Sequence, residues 1–475
     1  VTRRGWLIAA AAFALLGACG APAPQPAAEK VIVKETVIVE GKEVVKEVEK
    51  VVTATPEPVA SPYDDNAPIK VWVDSERQRQ ADMFVNQFPE KGKLIEFIAD
   101  DLSTLSQKML FWNNVGGGWP DMVWAQPEVA HLLNTQQFDF FPLDLTPWLP
   151  QEALDGFLKG TMDPCITPDK KIICVRNDFA PEILYYNQPK MKEFGYDIPK
   201  TWEEYIALGE RVAQEHPGYK IGVLDGWVPE DIWYYASECP ILIRLTPTKF
   251  RVNIRHPNCQ RVTDMLDKLL KLGVLDTQGT FSKGLGDEWK AGKMLMQLGP
   301  PWLAQYVVQG TYLDADNPDH KGIVGVAPIP NWAAQTTRWT SGVGGGAFAI
   351  SRHTKNPKLA AELIIFMTTD VEAGRQQASL PAFGAGADAW AESWLTKVPV
   401  LSPDPDPWSV VKNDAGVIWY DISYQGPPQS QGVLAPIFTD IAAGKKTVNE
   451  SLDDIQKVLE EQVIKTGYEL ETTGP

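Results

Sequence analysis

At 475 residues the chain exceeds what one hydrophobic core usually serves, which favours two domains. A formal net charge of −17 weighs against nucleic acid and other polyanions as partners, and 44% hydrophobic with 22% charged residues is an ordinary globular balance. Seventeen tryptophans and thirteen tyrosines supply broad aromatic faces, which suit cores and sugar rings alike.

Arg3 and Arg4 precede an apolar run, Trp6 to Leu16, that is too short to span a bilayer as a mature helix. With small residues after it, the run reads as a signal peptide over 1–18. Leu16-Gly17-Ala18-Cys19 resembles a bacterial lipoprotein box, which implies acylation of Cys19 and an anchor on the outer face of the cell membrane. Residues 19–67 form a low-complexity stalk. Val44, Val48 and Val51 have near-heptad spacing, so a weak coiled coil is one reading. Gly41 and the flanking prolines favour a solvated tether.

Ile69 to Val73 alternates as a strand and runs into Asp74-Ser75-Glu76-Arg77, the start of a helix with Met83, Phe84 and Phe88 on one face. Lys93 to Ile98 is a second strand, and Leu105, Met109 and Trp112 mark a helix broken by Gly116-Gly117-Gly118. Asp121 to Trp124 is a third strand. Strands alternating with helices predict a parallel α/β sheet. Further strands are expected at Lys171–Val175, Ile183–Asn187, Met294–Leu298 and Ala347–Ile350. Thr201 with Glu204, and Thr447 with Glu450, have capping-box spacing. Val262, Met265, Leu266, Leu269 and Leu270 form a helix face ending at Gly273, and Asn356-Pro357 opens a helix burying Ala360, Leu363, Ile364 and Met367. The last helix carries Leu452, Ile455, Leu459 and Val463 inward. Gly299, Pro300 and Pro301 stop their strand sharply and hold Trp302 at its carboxyl end, where open α/β sheets bind ligands.

Several of these stretches together resemble one family. Gly292-Lys293-Met294 with a strand and Gly299-Pro300-Pro301-Trp302, the turn before Pro120-Asp121, Leu184-Tyr185-Tyr186-Asn187, and above all Pro199-Lys200-Thr201-Trp202-Glu203-Glu204 are similar to the maltose-binding-protein-like solute-binding proteins of ATP-binding-cassette sugar importers. The likeness runs in consistent order over residues 68 to 466. It implies an α/β, two-lobe, periplasmic-binding-protein-like (type II) fold with a hinge and an inter-lobe cleft. Lobe 1 is expected at 68–177 plus 342–383 and lobe 2 at 183–335 plus 388–475, with crossings near 178–182, 336–341 and 384–387. It also implies an extracytoplasmic, lipid-anchored monomer that binds a mono- or oligosaccharide and delivers it to a membrane permease, with no catalysis and no cofactor.

Carried over position by position, the resemblance puts Trp72, Asp74, Glu76 and Arg77 at the cleft mouth, with Trp124 and Gln126 beside them. Trp227 and Trp302 become stacking platforms on the second lobe. Residues 431–435, Gln-Gly-Val-Leu-Ala, depart from relatives that place an aromatic there. A secreted carbohydrate-active enzyme, or the same fold binding a peptide, polyamine or metal, are the alternatives.

Other chemistry finds little support. His256 and Cys259 have ligand-like spacing without a second pair, and Gly342-Val343-Gly344-Gly345-Gly346 precedes a strand where a dinucleotide fingerprint would follow one. Asp314-Ala315-Asp316-Asn317 meets Pro318 where a calcium loop needs its later ligands. Beyond Cys19 there are four cysteines, Cys165, Cys174, Cys239 and Cys259, an even number that in an exported chain suggests two disulfides. Local pairing, Cys165 with Cys174 and Cys239 with Cys259, is expected.

Overall fold

The computed structural model describes residues 29–39, 42–52, 62–99, 105–125, 127–246, 249–415, 418 and 432–471. Cys19 and Gln126 lie outside them. The chain divides into two compact units, Val1–Pro62 and Tyr63–Pro475.

In the first unit, Glu29–Val39 and Lys42–Val52 pair as an antiparallel hairpin whose register sets Val33 opposite Val48 and Val37 opposite Val44. Neither the tether nor the coiled-coil reading describes these residues. Both segments are rich in valine, whose branched Cβ suits a strand better than a helix. Three valines at near-heptad spacing are too few to oppose that preference.

The second unit holds two principal sheets. The first has the order 95–99, 69–73, 122–125, 347–350, 175–176. Its first three strands run parallel, and 347–350 is antiparallel to both neighbours. Both faces are covered. Ile69, Val71 and Val73 belong to one core with Phe84, Phe348 and Leu363, whereas Trp72 belongs to another with Met109 and Val123. Alternation along a strand produces that split. The helix Pro357–Thr369 starts as expected, with the Asn356 side chain accepting from the Leu359 N–H at 3.0 Å.

The second sheet has Ile183–Asn187 at its centre, antiparallel to Met296–Gly299 and Val324–Ala327. Ile183 and Tyr185 belong to a core containing Trp289, Trp390 and Trp394; Leu184 and Tyr186 belong to the core packed under helix Pro257–Lys271. The Thr201–Glu204 capping box forms at the start of helix Trp202–Glu215. Thr447 and Glu450 make the same reciprocal bonds one short 3-10 turn ahead of helix Leu452–Lys465. Cys165–Cys174 and Cys239–Cys259 are disulfides, with Cα–Cα distances of 4.9 and 4.7 Å.

The chain leaves the first sheet after residue 176 and enters the second at 183, returning between 327 and 347. These passages lie side by side. Asp178–Phe179 pairs antiparallel with Leu380–Pro381, and Pro181 bridges Gly342. The Glu182 N–H donates to the Ser341 carbonyl at 2.9 Å, and the Thr340 hydroxyl donates to the Glu182 carbonyl at 2.7 Å. Among the described residues no helix is long and apolar enough to cross a membrane.

Candidate functional site

Trp302 follows the strand Met296–Gly299, which begins two residues later than its sequence suggests. Pro300 is extended and Pro301 opens a short helical turn, so the backbone before the indole is rigid. The half-buried ring of Trp302 donates its Nε1–H to the Val343 carbonyl at 2.8 Å. Trp227 meets it edge-on, with centroids 5.6 Å apart and planes at 77°. Asp225 orients Trp227 by accepting its backbone N–H at 2.9 Å. Phe281 also meets Trp227 edge-on, with centroids 5.0 Å apart. Both indoles border the two cores on either face of the second sheet.

Against Trp302 runs the glycine-rich segment 342–346. Gly344 has φ +88°, and a Cβ there would sit 3.3 Å from Trp302 Nε1. At Gly346 a Cβ would enter the ring of Trp124. The glycines therefore serve close approach of backbone to two indoles, one from each sheet region.

The residues expected at the cleft mouth divide into two groups. Asp74 caps the helix Ser75–Gln87, accepting from the Arg77 N–H at 2.8 Å. The Arg77 guanidinium is buried and engaged, with Asp74 at 3.1 Å, Glu76 at 3.2 Å and Asp178 at 3.1 Å. Its plane lies 3.9 Å over the ring of Trp124, which is 7% exposed. Arg77 thus ties the helix start to the crossing at Asp178 and offers little to a solute. Trp72 is 1% exposed beneath Trp112, 5.3 Å away, because position 72 faces the side of the sheet that helix Leu105–Val115 covers. It presents no surface for stacking.

Glu76 is different. Its Oε2 accepts the Tyr306 hydroxyl at 2.5 Å and its Oε1 accepts the Ala378 N–H at 3.1 Å. Burial pushes the carboxyl up, but Arg77 and the Tyr306 hydroxyl outweigh this and leave its pKa below the ordinary value. Tyr306 lies one turn beyond Trp302, so this bond joins the helix after the first strand to the segment after the second-sheet strand. Sequence reasoning missed Tyr306; its only signal was its spacing from Trp302.

A second group was missed altogether. Glu182 is fully buried at the first crossing, and Glu230 is 3% exposed three residues beyond Trp227. Ser341 Oγ lies 2.6 Å from Glu182 Oε2 and 2.5 Å from the Asp231 carbonyl. A hydroxyl has one proton to donate. Both contacts are satisfied when Glu182 is protonated and donates to Ser341, which donates to Asp231. Burial, which pushes Glu182 well above the usual carboxylate range, favours that state. Neither oxygen of Glu230 accepts a hydrogen bond from another residue, and burial pushes its pKa up to about 7. Val228, on the turn between Trp227 and Glu230, has φ +37°, a strained value for a β-branched residue. A cavity of about 10 Å³, close to the room one water needs, is lined by Asp225, Trp227, Pro229 and Thr280 of this region.

His256 Nδ1 accepts the Asn258 N–H at 3.2 Å and Cys259 is disulfide-bonded, so that pair serves the fold. Among the described residues no group of three or more His, Cys, Asp or Glu is placed to hold a metal ion.

The family model described as bacterial extracellular solute-binding protein matches residues 139–374. The chain is 24% identical over 295 residues to the arabinooligosaccharide-binding protein of Bacillus subtilis, covering 59% of this chain and 63% of that one. It is 24% identical over 201 residues to the multiple sugar-binding protein of Streptococcus mutans, covering 39% and 44%. The matches thus span between 44% and 63% of these curated relatives' lengths. Among solved structures, the galacto-N-biose/lacto-N-biose I-binding protein of Bifidobacterium longum superposes with a TM-score of 0.67 at 17% identity, over 86% of this chain and all of that one (100%). UgpB of Mycobacterium tuberculosis, solved with glycerophosphocholine, gives 0.64 at 15%, over 84% and 99%. The fold is the two-lobe type II solute-binding architecture.

Proposed function

The chain belongs to the bacterial extracellular solute-binding protein family, and we propose that it captures a mono- or oligosaccharide between its lobes and delivers it to the permease of an ATP-binding-cassette importer. The observations that support this are the edge-on pair of Trp227 and Trp302, bonded to Val343, and the Glu76–Tyr306 hydrogen bond that links the two sheet regions. A solute touching both regions favours the closed arrangement by contacts absent when they part. We assign lobe 1 to 68–177 plus 342–383 and lobe 2 to 183–335 plus 388–475. The sugar-binding proteins of Bacillus subtilis and Streptococcus mutans support the carbohydrate class.

Capture needs no bond making, so the protein acts without catalysis. Leu16-Gly17-Ala18-Cys19 supports an anchor through Cys19 outside the cell membrane. The test is a thermal-shift screen across sugars, peptides, polyamines and metal ions, since a solute bound only by the folded state raises the melting temperature. A sugar is expected to give the largest shift. A response confined to the other solutes would move the reading to another ligand, and cleavage of a glycan would make the protein an enzyme.

A further inference from the structure

Among the buried acids at and beside the crossings, Asp178 is accounted for by Arg77 and Glu182 by its short contact with the Ser341 hydroxyl. Glu230 is not. It is 3% exposed, receives no hydrogen bond from another residue and has no cationic partner among the described residues. A buried carboxylate is costly unless a positive charge or several donors answer it. Its place is specific. It follows Trp227 across the strained turn at Val228, and the next residue, Asp231, is held against the crossing by Ser341. Trp302, edge-on to Trp227, is bonded two residues further along that crossing, at Val343. One acid without a partner therefore stands on the turn that carries one of two indole faces, and indole faces attract cations.

We propose that Glu230 is the counter-charge for a cationic nitrogen on the solute, so that the cleft prefers an amine-bearing carbohydrate to its neutral isostere. This rests on the solute-capture reading above and narrows it. The amine hydrogens fill the empty acceptor sites of Glu230, and Trp227 and Trp302 cover the adjacent carbon face. A quaternary ammonium would gain from the charge and the indoles but has no N–H to donate, so the two sources of positive charge can be told apart.

Four probes are titrated by calorimetry at pH 7.5 into wild type and Glu230→Gln: the β-1,4-linked glucosamine disaccharide, its N-acetylated form, cellobiose and glycerophosphocholine. Wild type is expected to bind the glucosamine disaccharide at least about tenfold more tightly than cellobiose, the scale of a desolvated charge pair. Glu230→Gln should erase that preference. Equal affinities in wild type would overturn the inference and leave sugar capture standing, and this comparison does not depend on the variant folding. A preference that survives Glu230→Gln would overturn it as well. Binding of glycerophosphocholine alone, lost in Glu230→Gln, would keep the counter-charge and overturn the carbohydrate class. Binding of none of the four would overturn both readings.

Discussion

At the scale of single residues, Trp302 is the side chain on which most depends. Its ring is half-buried and anchored by one hydrogen bond to Val343. Trp302→Ala is expected to weaken the best sugar at least about tenfold, as truncated aromatic anchors do. The unliganded protein should lose about 1–2 kcal/mol, less than the ~3–5 of a fully buried aromatic. Calorimetric titration with melting of the free protein separates the two, and unchanged affinity with a collapsed melting temperature would make Trp302 a core residue. Glu230 carries the opposite signature. Its folded pKa is raised to about 7 by burial, above an unfolded value near about 4.3. The folded state is therefore most favoured below the unfolded value and loses stability as pH rises towards the folded one, after which the penalty is constant. Glu230→Gln should stabilise the unliganded protein by up to roughly 3–4 kcal/mol at pH 8 and change little near pH 4.5. Equal melting temperatures at pH 8 would show that the carboxylate is answered in the folded state.

At the scale of elements, the strand Ala347–Ile350 and the glycines before it form the floor against which both indoles are set. Gly346 has ordinary backbone angles, so its requirement is space and not conformation. Its N–H donates to Asp178 Oδ1 at 3.0 Å and its carbonyl accepts from the Asn177 N–H at 2.8 Å. Gly346→Ala would drive a methyl into Trp124, beneath the Arg77 guanidinium. A loss of about 1–3 kcal/mol is expected, the usual scale of overpacking. Trp124→Ala in the same chain should recover part of it, because the two changes share one contact. Melting curves of the two single variants and the double variant test this, and strict additivity would mean that Gly346 is needed for another reason.

At the scale of the molecule, the crossings join two sheets with different contents, one mixed and one antiparallel. Arg77–Asp178 fastens the helix start to a crossing, while Glu76–Tyr306 spans the regions directly. A pair made only when the lobes are closed biases their equilibrium without contacting a solute. Tyr306→Phe removes a charge-assisted hydrogen bond of about 1.5–3 kcal/mol. The free protein should therefore become more open, seen as a larger radius of gyration in solution scattering, with sugar affinity reduced severalfold. An unchanged radius together with unchanged affinity would show that this bond does not set the equilibrium.

The sequence by itself determined the class of fold and most of its elements. Strand alternation at Ile69–Val73, the capping box at Thr201 and Glu204, and the apolar face from Val262 to Leu269 are local signals, carried by backbone sterics and burial within a few residues. It also located the sharp stop at Gly299-Pro300-Pro301 that positions Trp302. The stalk shows where local signals compete, since the branched valines of Glu29–Val52 decided for a hairpin. Only the tertiary structure decided what each polar or aromatic residue faces. Trp72 and Trp124 look alike as strand tryptophans, yet helix Leu105–Val115 covers one and Arg77 covers the other. Glu76 and Arg77 are neighbours in sequence, but one reaches Tyr306 and the other Asp178, 230 and 101 residues away. Glu182, Ser341 and Asp231 meet because distant segments cross at one place, and no spacing in the chain encodes that meeting.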